Sequence, residues 1–374
     1  MTTAVIAAYA RSPFCPSYKG QLIRFRPDDI LATVIKNMLE RLDVDPETIE
    51  DLIVGCAFPE AEQGLNLARN AVFLSGLSVK TAGTTVNRYC GSSMQAIHMA
   101  AGAISMGAGD AFICGGVESM TRVPMWGFNP IFNQKLSDSM PEAYMNMGLT
   151  AEELAKKYGI DRKTQEDFAV ESHFKAGKAQ SEGKFDDEIV AIGNVANDGA
   201  IRPETDNDSL AGLKTVFDAK GTVTAGTSSP LTDGAAAVFV CSEDYAKTHG
   251  LPVLAKIKSI AVSGCAPEIM GIGPVEATRK ALSRAGIGLG DIDIAELNEA
   301  FAVQVLSCLQ DLDIPTEKIN LDGGAIAIGH PLGATGARIV GKAASLLNRE
   351  DKNIALACQC IGGGQGIATV LEAA

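Results

Sequence analysis

Three residues combine a reactive side chain with a setting suited to catalysis: Cys90, His330 and Cys360. Thr84-Thr-Val-Asn-Arg-Tyr89 reads as a strand, and Met94, Ile97, Ala101 and Ile104 recur at helical spacing, so Cys90-Gly91-Ser92-Ser93 falls at a strand-to-helix turn. A cysteine that opens a helix faces free N–H groups and the positive end of the dipole, which favours thiolate over thiol. The competing reading of Cys90 is a buried cysteine packed as a small apolar side chain. His330 lies in Gly323-Gly-Ala-Ile-Ala-Ile-Gly-His330-Pro-Leu-Gly-Ala-Thr-Gly336. Pro331 suits the first position of a helix, and Gly329 and Gly333 would leave the imidazole uncovered as a proton shuttle; otherwise His330 only caps that helix. Cys360 follows a buried strand expected over Ile354–Ala357 and precedes Gly362-Gly-Gly-Gln-Gly366, whose backbone N–H groups can approach a ligand closely. It offers a second acid/base. Asn298, past the end of a strand beginning near Ile294, can hold a water or a carbonyl, or merely turn the chain. His98, His173 and His249 lack such framing and read as structural or solvated.

Other chemistries are excluded. No CxxC pair or HExxH motif occurs, so no metal site is expected. Gly336-Ala-Arg-Ile-Val-Gly341-Lys342-Ala343 mimics a phosphate loop, but Ala343 lacks the required hydroxyl and the segment continues a helix. Gly362–Gly366 fails the dinucleotide pattern at Ile367. With 32 Lys+Arg against 45 Asp+Glu, the net charge of −13 excludes a nucleic-acid platform. Nine cysteines without a repeated spacing point to a reducing compartment. The N-terminal apolar stretch has no basic flank, and no window reaches the ~18 apolar residues of a membrane helix. A cytoplasmic protein without a membrane span is expected.

The elements that must position these residues recur. Asp51-Leu-Ile-Val-Gly-Cys56 is echoed by Asp291-Ile-Asp-Ile-Ala-Glu296 at an offset of 240, the same offset that carries Cys90 onto His330. Each half alternates short strands (Ala4–Ala8, Leu52–Gly55; Val253–Ile260, Ile294–Leu297) with helices (Ile30–Leu42; Val275–Ala285), an α/β pattern. The chain divides into a first half, 1–119, completed by 230–250; an inserted lid, 120–229, with polar helices near Thr150–Tyr158 and Thr164–Ser181; and a second half, 251–374. Asp233–Val240 reads as a buried strand that closes the first half.

Val86-Asn-Arg-Tyr-Cys90-Gly-Ser-Ser, Asn298-Glu-Ala-Phe301, Gly329-His330-Pro331 and Cys360-x-Gly362 together resemble the thiolase family in order and spacing over nearly the whole chain. Thr222–Ser229, Ile201–Thr205 and Met270–Pro274 are similar to the bacterial 3-ketoacyl-CoA thiolases of fatty-acid β-oxidation within it. The resemblance implies duplicated βαβαβαββ halves in a five-layered αβαβα core, with the inserted loop domain binding coenzyme A. It implies Cys90 as nucleophile, His330 as its base and Cys360 as second acid/base. It further implies one oxyanion hole from His330 and a water on Asn298, and another from the N–H groups of Cys90 and Gly362. Arg202, Phe217, Ala225 and Ser229 match coenzyme A contacts, although Arg202 alone would read as a solvated charge. Met147, Met270 and Phe301 match the substrate pocket. Asn146 and Pro230 depart from the short-chain pattern, which carries His and Gly there, and argue for longer 3-ketoacyl chains.

The implied reaction is thiolysis of 3-ketoacyl-CoA, with coenzyme A as co-substrate and no permanently bound cofactor. The alternative is an acetoacetyl-CoA enzyme running in the condensing direction. A β-ketoacyl synthase is disfavoured by Cys360, and a noncatalytic scaffold by the presence of all three reactive residues. A homodimer is implied, with a dimer of dimers or a complex with a hydratase/dehydrogenase subunit as larger assemblies.

Overall fold

The computed structural model describes residues 2–374. Ten strands, β1 (Ala4–Arg11), β2 (Cys15–Pro16), β3 (Asp51–Gly55), β4 (Ala82–Val86), β5 (Ala111–Ser119), β6 (Thr232–Ser242), β7 (Ala255–Gly264), β8 (Ile294–Leu297), β9 (Ile354–Ile361) and β10 (Gln365–Glu372), form one hydrogen-bonded sheet. Its order is β4-β3-β5-β6-β1-β7-β10-β9-β8, with β2 on β6. The order β3-β5-β6-β1 in the first half is repeated as β8-β9-β10-β7 in the second, and only Val5↔Lys256 and Ile6↔Ala255 join the two. Strand β6 pairs with both β1 and β5, and its side chains alternate: Ala236, Val238 and Val240 face the central core, while Ala235, Ala237, Phe239 and Cys241 face the outer one.

Two outer apolar cores and a central one, which surrounds the middle helices, hold five layers together. Helices Pro27–Leu42 and Leu67–Leu74 cover the outer face of the first half. Helices Gly273–Ala285 and Ala302–Leu312 cover that of the second. Between the half-sheets lie helices Ser92–Ser105 and Leu332–Arg349, the latter buried along nearly its whole length. The segment after β5 carries helices Met147–Tyr158 and Arg162–Ser181 before the chain returns to the sheet at β6.

Several sequence expectations shift. Strand registers Asp51↔Phe112 and Ile294↔Ala355 set the β3/β8 equivalence at an offset of 243, whereas the central helices, capped at Gly91 and Pro331, keep 240. The second half retains only an isolated Ala295↔Ile319 bridge where the implied pattern has a strand. Strand β4 stops at Val86 because Asn87–Cys90 turn, and β9 runs on to Ile361, since the carboxamide of Gln359 is itself buried.

The central helices seat only where glycine removes side chains. A Cβ on Gly116 would lie 2.0 Å from the Gly333 carbonyl oxygen, and one on Gly336 2.3 Å from the Met94 nitrogen. Gly116→Ala should therefore cost about 2–4 kcal/mol in urea unfolding. Gly102→Ala, with nothing within 4 Å of the added carbon on the neighbouring helix, should be neutral or stabilising by up to ~1 kcal/mol. Equal effects would contradict this packing.

Candidate active site

Residues Asn87 to Ser92 tie themselves into an elbow. Asn87 Oδ1 accepts the Tyr89 N–H at 2.8 Å, and its Nδ2 donates to the Ala57 carbonyl at 2.9 Å. Ser92 Oγ accepts the Arg88 N–H at 2.9 Å and donates to the Tyr89 carbonyl at 2.6 Å. Tyr89 is held at φ 43°, a left-handed conformation that a tyrosine adopts only when its surroundings demand it. Cys90 thus precedes the helix cap Gly91, half-buried beside Phe58, Met120, Val123 and Leu332. The helix does not yield a resting thiolate: burial pushes the thiol up to about 11, against the lowering pull of the N–H groups of Gly362 and of Cys90 itself. That corrects the sequence expectation.

His330 is buried, and its ring is clamped from both sides. Nδ1 lies 2.6 Å from Thr335 Oγ1, whose own hydroxyl donates to the Pro331 carbonyl at 3.1 Å. The Thr335 oxygen must then accept, which places the imidazole proton on Nδ1 and leaves Nε2 basic. Nε2 faces Asn298 Nδ2 at 3.3 Å, and burial, with the Arg338 charge second, holds the ring neutral by pulling its pKa down to about 3. Asn298 Oδ1 is buried without a protein partner. Pro331 sits at the cap, not inside the helix. The flanking glycines serve packing instead of exposing the ring: a Cβ on Gly329 would meet Thr232, and one on Gly333 the carbonyl oxygens of Gly55 and Val117, both at 2.7–2.8 Å.

Cys360 is buried near the end of β9, close enough to Cys90 that the latter raises its pKa, which burial already holds well above the ordinary thiol value. Gly362 opens the turn beyond it, with Met147 Sδ 3.5 Å from where its Cβ would be. Met147, Met270, Phe301 and Phe217 pack with Cys360 in one apolar cluster, Phe217 and Phe301 edge to face at 5.9 Å. The 224–229 loop is joined to the Asn298 segment by Ser229 N–H donating to the Ala300 carbonyl at 3.0 Å. Ala225 and Arg202 are exposed on the lid.

Sequence reasoning missed Thr335, Thr232, Gln359 and Glu118. Thr232 Oγ1 accepts the His330 N–H at 3.0 Å, Gln359 donates to the Cys90 carbonyl, and Glu118 Oε2 accepts from Ala57 and Gly333. Thr335, one helical turn beyond His330, and Glu118, a lone charge in an apolar strand, carried a readable signal. His98, His173 and His249 lie elsewhere. His98 is buried with Nε2 2.9 Å from Thr369 Oγ1, and burial pulls its pKa down to about 3. An unfolded chain protonates this imidazole near pH 6.5, so below that pH the unfolded state binds more protons and the His98 contribution to stability is lost. The stability gap between wild type and His98→Gln should therefore narrow by roughly 1.4 kcal/mol per pH unit as pH falls from 6 to 4.5. A gap independent of pH would show that His98 is not held neutral.

Comparison with known proteins identifies the family. The thiolase N-terminal domain model matches residues 4–244, and the thiolase C-terminal domain model residues 251–373. The chain is 51% identical over 388 residues to a 3-ketoacyl-CoA thiolase of Shewanella loihica and 50% identical over 386 residues to one of Aliivibrio fischeri, in both cases with all of each chain covered. Its fold superposes on the crystal structure of human mitochondrial 3-ketoacyl-CoA thiolase with a TM-score of 0.91 at 36% identity, covering 100% of this chain and 99% of that one. Matched from end to end in sequence and in fold, the chain belongs to the thiolase family.

Proposed function

We infer that the protein cleaves 3-ketoacyl-CoA with coenzyme A, giving acetyl-CoA and an acyl-CoA two carbons shorter. The carrying observation is the setting of Cys90, with two backbone N–H groups at its sulfur and the Cys360 thiol close by; His330, neutral in a fixed tautomer, is the base available to it. Cys90 Sγ attacks the C3 keto carbon as its proton passes to His330 Nε2. The N–H groups of Cys90 and Gly362 receive the developing oxyanion. Collapse breaks the C2–C3 bond, its electron pair leaving as the acetyl-CoA enolate, which Cys360 protonates. The enolate oxygen is held by protonated His330 and a water on Asn298. Coenzyme A then loses its thiol proton to Cys360 and attacks the acyl-Cys90 thioester, and Cys90 recovers its proton from His330.

The inserted segment 120–229 is read as the coenzyme A domain, with Arg202, Phe217, Ala225 and Ser229 at the nucleotide and pantetheine arm. Met147, Met270 and Phe301 line the acyl pocket. Nine free cysteines suit a reducing cytoplasm, and no helix among the described residues is long and apolar enough to cross a membrane. Fatty-acid β-oxidation is the setting that consumes long 3-ketoacyl chains, and the relatives' names favour it over the condensing direction. Thiolysis of 3-ketohexadecanoyl-CoA should exceed that of acetoacetyl-CoA, and Cys90→Ala should abolish both. Turnover of acetoacetyl-CoA alone would move the assignment to the short-chain enzyme.

A homodimer fits the sheet edge. Strand β4 ends the sheet with one side unpaired, and Leu65, Phe73 and Val79 are exposed in the segments next to it. A second copy placed antiparallel along β4 would satisfy that edge. Light scattering should give twice the chain mass; a fully active monomer would overturn this.

A further inference from the structure

The two N–H groups expected to hold the oxyanion belong to segments from opposite halves of the chain, so something must fix their separation. One side of that gap is spanned by Gln359. Its neighbours Cys358 and Cys360 pack away from the central core, Cys358 in the outer core of the second half and Cys360 against Met270 and Phe301, so the alternation of β9 turns Gln359 toward the central helices, where it is fully buried. There Nε2 donates to the carbonyl of Cys90. Its Oε1 is buried without a partner. The other side is spanned by Gln365, whose Oε1 accepts from Arg88 Nη1 at 2.8 Å while its Nε2 reaches the Gly362 carbonyl at 3.5 Å. Arg88 Nε in turn donates to Gln95 Oε1 at 2.9 Å.

We propose that Gln359, assisted by Gln365, is a positioning residue that sets the distance between the Cys90 and Gly362 N–H groups; this rests on the thiolytic reading above. The argument comes from what the carboxamide costs. A buried amide that the protein bonds at one end only is a weak stabilising element, since the cost of removing its other end from bulk water offsets the bond made. An apolar side chain of similar volume would pack at this place without that penalty. A carboxamide here is therefore explained by the single bond it makes, and that bond ends on the nucleophile's own carbonyl. Tyr89, immediately before it, sits in a left-handed conformation that relaxes readily once its restraints weaken. Release of the Cys90 carbonyl would let the elbow rotate and carry the Cys90 N–H away from Gly362.

The test is Gln359→Met, which keeps the volume and removes the donor, with Gln359→Asn, one methylene too short to reach, as the second variant. Both are expected to lower kcat for 3-ketoacyl-CoA by roughly 10- to 100-fold, the loss typical of a reacting group misplaced by about 1 Å. KM for coenzyme A should hold within about twofold, because the lid is untouched. The melting temperature of Gln359→Met should equal or exceed that of wild type. A loss of stability in step with rate, or unchanged kcat in either folded variant, would overturn the proposal. Acylation of wild-type Cys90 by substrate, followed by mass spectrometry, separates the two inferences. Failure to acylate would sink the thiolytic reading and this proposal with it, whereas wild-type acylation with equally fast variants sinks this proposal alone.

Discussion

The site depends on one buried carboxylate. Glu118, at the end of β5, accepts the N–H groups of Ala57 at 2.8 Å, Phe58 at 3.3 Å and Gly333 at 2.9 Å, and the Gln63 amide at 2.8 Å. The loop after β3, the strand end and the helix that follows His330 therefore meet at one pair of oxygens. Burial raises the Glu118 pKa while those four donors pull it down. A carboxylate removed from water is tolerable only with such a set of donors, so the halves have little freedom to slide once it is formed. The glycine contacts at Gly116 and Gly333 then fix how near the two central helices can come.

Duplication explains why two different chemistries share one local device. Cys90 and His330 each precede the cap of a central helix, at equivalent positions of the two halves. In the first half the device is an elbow built from side chains of its own segment, Asn87 and Ser92. In the second it is a clamp, with Thr335 fixing the ring and Asn298 brought in from β8. On the proposed assignment, the nucleophile is held through the backbone of its segment, which side chains of Asn87 and Ser92 fix, and the base through hydrogen bonds to its own ring. That division follows from what each must do, since a sulfur needs only placement and an imidazole must also keep its proton on one nitrogen.

The elements legible in the sequence were those written in apolar pattern. Strand β6 is wholly buried and was readable as such, and the segment that mimicked a phosphate loop is the middle of helix Leu332–Arg349. The strand ends were not, because polar side chains continue them: Gln359 extends β9 through a buried carboxamide that no periodicity reveals. Among the site residues, Cys90, His330 and Cys360 stood out by type and by neighbouring glycines, whereas Asn298 was marked only by its place past the end of a strand. Thr335 and Gln359 are ordinary residues in ordinary contexts, and their roles exist only through contacts between segments far apart in the chain. Tyr89 carries a left-handed turn where glycine would be the natural choice, so no sequence rule marks it.

Burial sets when the site becomes reactive. Without substrate the Cys90 thiol is pushed up to about 11 and the His330 imidazole down to about 3, so a thiolate–imidazolium pair is disfavoured between them. The N–H groups of Gly362 and Cys90 oppose that burial only in part. In the proposed reaction, a carbonyl carbon placed against the sulfur relieves it of the negative charge, which passes to an oxygen that those N–H groups would bind more strongly, because hydrogen bonds to oxyanions are short and charge-assisted. The positive end of the helix thus contributes to the transition state instead of being spent on a resting thiolate. A cysteine kept as thiol is also a weaker target for oxidants and alkylating agents. Suppression of the resting nucleophile and acceleration of the reaction are then two consequences of the same dry, donor-lined turn.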